Sequence, residues 1–136
     1  MGNPRRSNGA RRDAARRWLR SQGMPCWICG LPIDYALPAR HPLSFECDEL
    51  LPVSKGGSPY ARDNLASAHR VCNGWRSAKD SARVDEIRSA AMSRYGLWQD
   101  PNEFVALAKA IEHGKAQGTV GGSTDRLRTV ETTTKW

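Results

Sequence analysis

No stretch of the chain strings together the roughly 18 apolar residues of a membrane span. The opening segment "MGNPRRSNGARRDAARR" has basic residues with no apolar run behind them, so no secretory leader is expected either. Both absences point to a cytoplasmic location. Hydrophobic residues are scarce, at 39% of 136, with only two phenylalanines. So thin a core in so short a chain commonly needs a disulfide or a metal to hold it. There are only four cysteines, and in a reducing compartment that number suggests metal ligands before disulfides. Internal repeats are absent, and no aromatic motif of the RNA-stacking kind is present.

Acidic residues are nearly missing from one end. Residues 1–25 hold seven arginines against Asp13 alone, a net charge of +6, whereas residues 26–80 balance six basic with six acidic side chains. The whole chain carries +7, so almost all of the excess lies in one arm. Arginines displace condensed counterions from phosphates, and a basic arm on a neutral body is the electrostatic footprint of a nucleic-acid binder. A solvated, solubilising tail is the bland alternative. Arg11, Arg12, Arg16 and Arg17 are the candidate phosphate contacts in this arm, joined by Arg76 and Lys79 further on.

The segment 10–23 is predicted to be a helix ending at Gly23, with Ala14, Trp18 and Leu19 inward. "CWICG" reads as a tight knuckle, and "LPIDYALPARHPL" carries three prolines and reads as an irregular loop. "SFECDEL" and "NLASAHRVC" read as two short strands joined by a glycine-bearing turn-rich loop. From Asn73 to Gly96 the spacing of Trp75, Ala78, Ala82, Ile87 and Ala91 predicts one helix. A second, "PNEFVALAKAIEHG", starts at Pro101 and shows Phe104, Leu107, Ala108 and Ile111 on one face. The domain reading is a basic arm or helix over 1–23, a core over 24–95, a covering helix over 96–115 and a flexible polar tail over 116–136.

Cys26 and Cys29 form a C-x-x-C, and His69 and Cys72 form an H-x-x-C. A two-residue gap lets both side chains of a knuckle point at one tetrahedral ion, and thiolate with imidazole favours zinc. Four ligands leave no place for water, so such a zinc is structural. Cys47 lies inside a strand without a knuckle partner and reads as a packed thiol. His41 and His113 read as surface residues.

The frame "CWICG … FECDELLPVSKGGSP … DNL … AHRVCNGWR" resembles the zinc-containing HNH endonucleases, especially those encoded by phages, over roughly residues 24–80. The resemblance implies an α+β fold: a zinc-supported ββα-metal core of the His-Me finger kind, with flanking helices. It aligns Asp48 and Asn73 with the ligands of a catalytic magnesium or manganese ion. Asn64 aligns with the asparagine that ties the loop, and Glu49 stands where the family usually has a histidine as general base. His69 and Cys72 occupy the second C-x-x-C of the family. In this sequence the set therefore reads Glu, Asn, Asn.

The substitution at position 49 has chemical consequences. A carboxylate with an ordinary pKa near ~4.3 is ionised at neutral pH but is about two units less basic than imidazole, so it pulls a proton more weakly. General base, additional ligand and remnant of a dead site all stay open for Glu49. Adjacent strand residues point to opposite faces, so Asp48 and Glu49 meet one ion only where the strand bulges or ends. Glu46, on the face of Asp48, is the reserve ligand. The expected function is low-specificity hydrolysis of double-stranded DNA. The phage relatives suggest genome processing or packaging beside a phage terminase, in the host cytoplasm. The rival is a non-catalytic zinc-stabilised DNA-binding or packaging-assembly module with a degenerate site.

Overall fold

The structure, a computed structural model, describes residues 4–117 of the chain. Its first element, α1 (Pro4–Ser21), is rich in alanine and arginine, both good helix formers, and starts earlier than the expected position 10. Its inward residues are Ala15 and Leu19, one turn apart, with Trp18 half-buried beside them; Ala14 is exposed. The apolar stripe is thus shifted by one position from expectation, because Leu19 and not Trp18 sits at its centre. Gly23, at φ 61°, turns the chain out of the helix.

Two strands follow, β1 (Phe45–Glu49) and β2 (Leu65–His69), paired antiparallel with Phe45 opposite His69 and Glu49 opposite Leu65. Strand alternation divides the side chains of β1. Phe45 lies under the guanidiniums of Arg16 and Arg20 from α1, while Glu46 and Asp48 are hydrogen-bonded to the helix that follows β2. The hairpin is therefore covered by α1 on one face and by α2 (Arg70–Arg76) on the other.

The expected long helix from Asn73 is broken. α2 stops at Arg76, Ser77 adopts φ 49°, and α3 (Ser81–Tyr95) starts afresh behind Asp80, whose carboxylate accepts from the Arg83 N–H at 2.9 Å. Asp80 satisfies an N–H that the helix start would leave unpaired, and that capping outweighs the nearly continuous apolar spacing. Val84, Ile87 and Ala91 carry the buried face of α3, whereas Ala78 and Ala82 are exposed.

Helix α4 (Pro101–Gln117) begins as expected and buries Phe104, Val105 and Ala108 against α2 and α3. Trp75 and Trp98 meet Phe104 edge-on, with ring centroids 5.5 and 4.8 Å away. Such pairs contribute about 0.5–1.5 kcal/mol each beyond their area. The fold is small and α+β, with two strands and four α-helices among the described residues. None of these helices is long and apolar enough to cross a membrane. Most of the expected tail, 118–136, lies outside the described residues.

Candidate metal centre and acidic site

The first knuckle precedes β1, and the second straddles the end of β2 and the start of α2. Pairing the strands brings the two together: Cys26, Cys29, His69 and Cys72 are all buried, and their ligand atoms lie within 4.8 Å of one another. A tetrahedral zinc with bonds of about 2.0–2.3 Å fits between donors at such spacing. The four residues expected from sequence to share an ion are thus assembled, and the cluster can hold a metal such as zinc.

Secondary contacts tune the donors. His69 faces the Cys29 and Cys72 sulfurs with Nδ1, at 3.4 and 4.0 Å, and its Nε2 lies 3.0 Å from the Pro32 carbonyl. Donation from Nε2 to that carbonyl leaves Nδ1 as the metal-facing nitrogen. The Cys26 sulfur accepts from the backbone N–H groups of Cys29 and His69 at 3.5 and 3.4 Å.

Burial pushes the Cys26 thiol up, but hydrogen bonds from Cys29, Cys72 and His69 outweigh it and hold the thiol well below its ordinary range. Cys72, bonded to the Cys26 and Cys29 sulfurs and buried, is pushed up. Burial disfavours charge on His69, yet bonding to Cys26 and Cys29 carries it up to about 10. Without metal, then, the cluster pairs thiolate with imidazolium. A dication would take the place of those protons.

Later parts of the chain fix the first knuckle. Arg88 of α3 donates to the Trp27 and Ile28 carbonyls at 2.8 and 3.1 Å, and the Trp98 indole donates to the Cys29 carbonyl at 2.8 Å. No motif marked these residues in the sequence; they act from a distance of some 60 to 69 positions.

On the α2 side of the hairpin lies the acidic site. Asn73 Nδ2 donates to Glu46 Oε1 at 3.0 Å, and Arg76 Nη1 donates to Asp48 Oδ2 at 2.8 Å. Glu46 and Asp48 are i and i+2 on a strand, and Asn73 and Arg76 are i and i+3 on a helix. Each pair therefore shares one face, and Asp48 and Asn73 sit diagonally at the crossing. Asp48 Oδ2 also accepts from the Trp27 indole at 2.9 Å. No donor among the described residues reaches Asp48 Oδ1 or Asn73 Oδ1.

Arg76 was a candidate phosphate contact by sequence, and its burial overturns that role. It is 2% exposed, with Nε donating to Lys79 O, Nη1 to Asp48 and Glu49 O, and Nη2 to Leu50 O. Four of its five N–H groups are held by internal acceptors, and a guanidinium so buried does not turn outward to DNA. Lys79 is also engaged: its ammonium lies 3.3 Å from Glu112 and donates to the Trp75 carbonyl at 2.8 Å.

Glu49 is the last residue of β1, and one carboxylate oxygen accepts, at 3.4 Å, from the Val53 N–H in the turn that follows. Asn64 ties the loop at both ends: it bonds both backbone groups of Leu51 and donates to Ser58 O, each at 2.9 Å. The α1 arginines Arg11, Arg12, Arg16 and Arg17 are exposed on the other side of the hairpin, with Arg11 also donating to the Tyr60 hydroxyl at 3.1 Å. Cys47 is half-buried, and burial pushes its thiol up. His41 and His113 are exposed. Comparison with protein-family models, with curated proteins and with solved structures finds no match for the chain.

Proposed function

We propose that the chain is a metal-dependent DNA endonuclease of the zinc-supported HNH type, hydrolysing phosphodiester bonds with low sequence specificity. The observation that carries this reading is the crossing of β1 and α2, where Asp48 and Asn73 each keep one oxygen without an internal donor among the described residues. Two hard oxygen donors on neighbouring elements suit magnesium or manganese. Zinc in the Cys26, Cys29, His69 and Cys72 cluster would be structural, since four protein ligands close its shell.

The roles follow from position. Asp48 and Asn73 would hold the divalent ion, which when bound supplies a Lewis acid toward the scissile phosphate. Glu49, at the point where strand alternation ends, would take a proton from the attacking water. Asn64 holds the loop that carries Glu49's turn. Arg11, Arg12, Arg16 and Arg17 would bind duplex phosphate without reading bases. The resemblance to phage-encoded enzymes extends the reading to genome processing or packaging beside a phage terminase.

One observation favours a second reading, a zinc-stabilised module that binds DNA and does not cut it. The Arg76 guanidinium already neutralises Asp48 and would repel a cation nearby. Supercoiled plasmid incubated with magnesium or manganese separates the two. Nicking by the native chain, lost in Asp48→Ala and Glu49→Ala, supports the nuclease. A mobility shift with no nicking in either ion supports the binder.

A further inference from the structure

We propose that Trp27 and Arg76 are positioning residues for Asp48: together they pin one carboxylate oxygen so that the other is presented toward Asn73. The effect on metal binding rests on the endonuclease reading, whereas the pinning itself rests on geometry alone.

Trp27 is the first of the two residues between the cysteines of the first knuckle, so the bend around the cluster sets its direction. Its backbone is held twice more, by donation to Ser67 O at 2.9 Å and by the Arg88 guanidinium on its own carbonyl at 2.8 Å. From that seat the indole N–H reaches Asp48 Oδ2 at 2.9 Å, and the ring lies 5.1 Å below the Arg76 guanidinium.

Arg76 meets the same oxygen and, through Nη1 and Nη2, the carbonyls of Glu49 and Leu50. It therefore fixes the backbone at the end of β1, where the second candidate carboxylate stands. A lysine, with one compact ammonium, could not span the four acceptors that this planar fork reaches. Both contacts converge on Oδ2, so the carboxylate cannot rotate to offer that oxygen elsewhere without losing two bonds. Contacts of this kind, one step removed from a metal donor, typically govern 10–100-fold in metal affinity.

The test uses the full chain, zinc-loaded and ¹⁵N-labelled. The Trp27 indole resonance, assigned from Trp27→Phe, is expected to shift in Asp48→Asn and, should it fold, in Asp48→Ala. The indoles of Trp75 and Trp98, held by Glu112 and the Cys29 carbonyl, are expected to stay in place. Manganese affinity, read by electron paramagnetic resonance, is expected to fall on the order of 10-fold in Trp27→Phe. Trp27→His, which keeps a ring N–H, is expected to recover part of the loss. Cobalt(II) placed in the cysteine cluster serves as control, because its thiolate absorption should be native in Trp27→Phe.

A Trp27 indole unmoved by Asp48→Asn overturns the inference. So does manganese affinity in Trp27→Phe equal to that of the native chain, or a variant that has lost the cobalt band and acted through the cluster. A native chain that takes up no manganese sinks the endonuclease reading, and the indole shift then decides the pinning by itself.

Discussion

The Asn64 amide and the Leu51 backbone exchange two hydrogen bonds, Leu51 N–H to Oδ1 and Nδ2 to Leu51 O, each 2.9 Å long. A side chain here takes the part of a ladder partner, closing the long loop where the strands have ended. Asn64→Ala would leave both backbone groups seeking water. The expected cost is about 1–3 kcal/mol, with faster amide exchange at Leu51. Gly57 adds a tight approach, since a Cβ there would stand 1.7 Å from the Leu51 carbonyl oxygen and 2.9 Å from Asn64 Nδ2. Gly57→Ala should therefore destabilise the loop as well, by roughly 1–3 kcal/mol in urea denaturation.

The Arg76 and Asp48 side chains are 2% and 10% exposed, so the pair is buried. Removing one partner strands the other charge away from water. Asp48→Ala is expected to lower unfolding free energy by about 3–5 kcal/mol. Asp48→Asn, which keeps an acceptor for both donors, should cost less. Equal losses for the two in urea titrations would argue that the pair is not closed in solution.

Metal analysis should return one zinc per chain, and Cys26→Ser or Cys72→Ser should unfold the domain, because a small core leans on the ion. The pH dependence differs with occupancy. In the loaded protein, protons compete for sulfur and imidazole, so affinity should rise with pH. In the metal-free protein, His69 is carried up to about 10. Its raised value stabilises the fold fully below the ordinary histidine pKa of about 6.5, and that contribution fades as pH climbs to the raised value. The lowered Cys26 thiol adds stability as pH rises toward its ordinary value of 9.0, so across neutral pH the two offset one another. Melting curves of chelated and loaded protein between pH 6 and pH 10, on the order of that window, should therefore diverge.

Binding to duplex DNA should weaken steeply with salt. If Arg11, Arg12, Arg16 and Arg17 each neutralise a phosphate, every change to glutamine should make the slope of log K against log salt shallower by about 0.9. Lys79→Gln should leave the slope alone, since Glu112 already holds that ammonium. A slope indifferent to the α1 arginines would move the DNA interface elsewhere.

The four cluster ligands and both strands could be read from the sequence, because knuckle spacing and turn residues are local signals. The split at Ser77 could not. Apolar spacing ran on through it, and only the Asp80 cap and the positive φ of Ser77 reveal the break. Arg76 was misread for a different reason. A basic side chain in a DNA-binding context suggests phosphate, and its true partners, Asp48 and the carbonyls of Glu49 and Leu50, lie 26 to 28 positions away across the hairpin. Trp27 was invisible for the same cause: nothing in "CWIC" says where an indole N–H will point.

The Cys29 carbonyl receives its N–H from Trp98, 69 residues downstream. On a ribosome the cysteines, the hairpin and the histidine all emerge before that indole does. A nascent chain can therefore gather early the four residues that could hold a metal, yet the knuckle gains its last brace only once the segment leading into α4 has emerged. The C-terminal helices are in this sense the latch of the cluster, and not merely cover laid over a finished core.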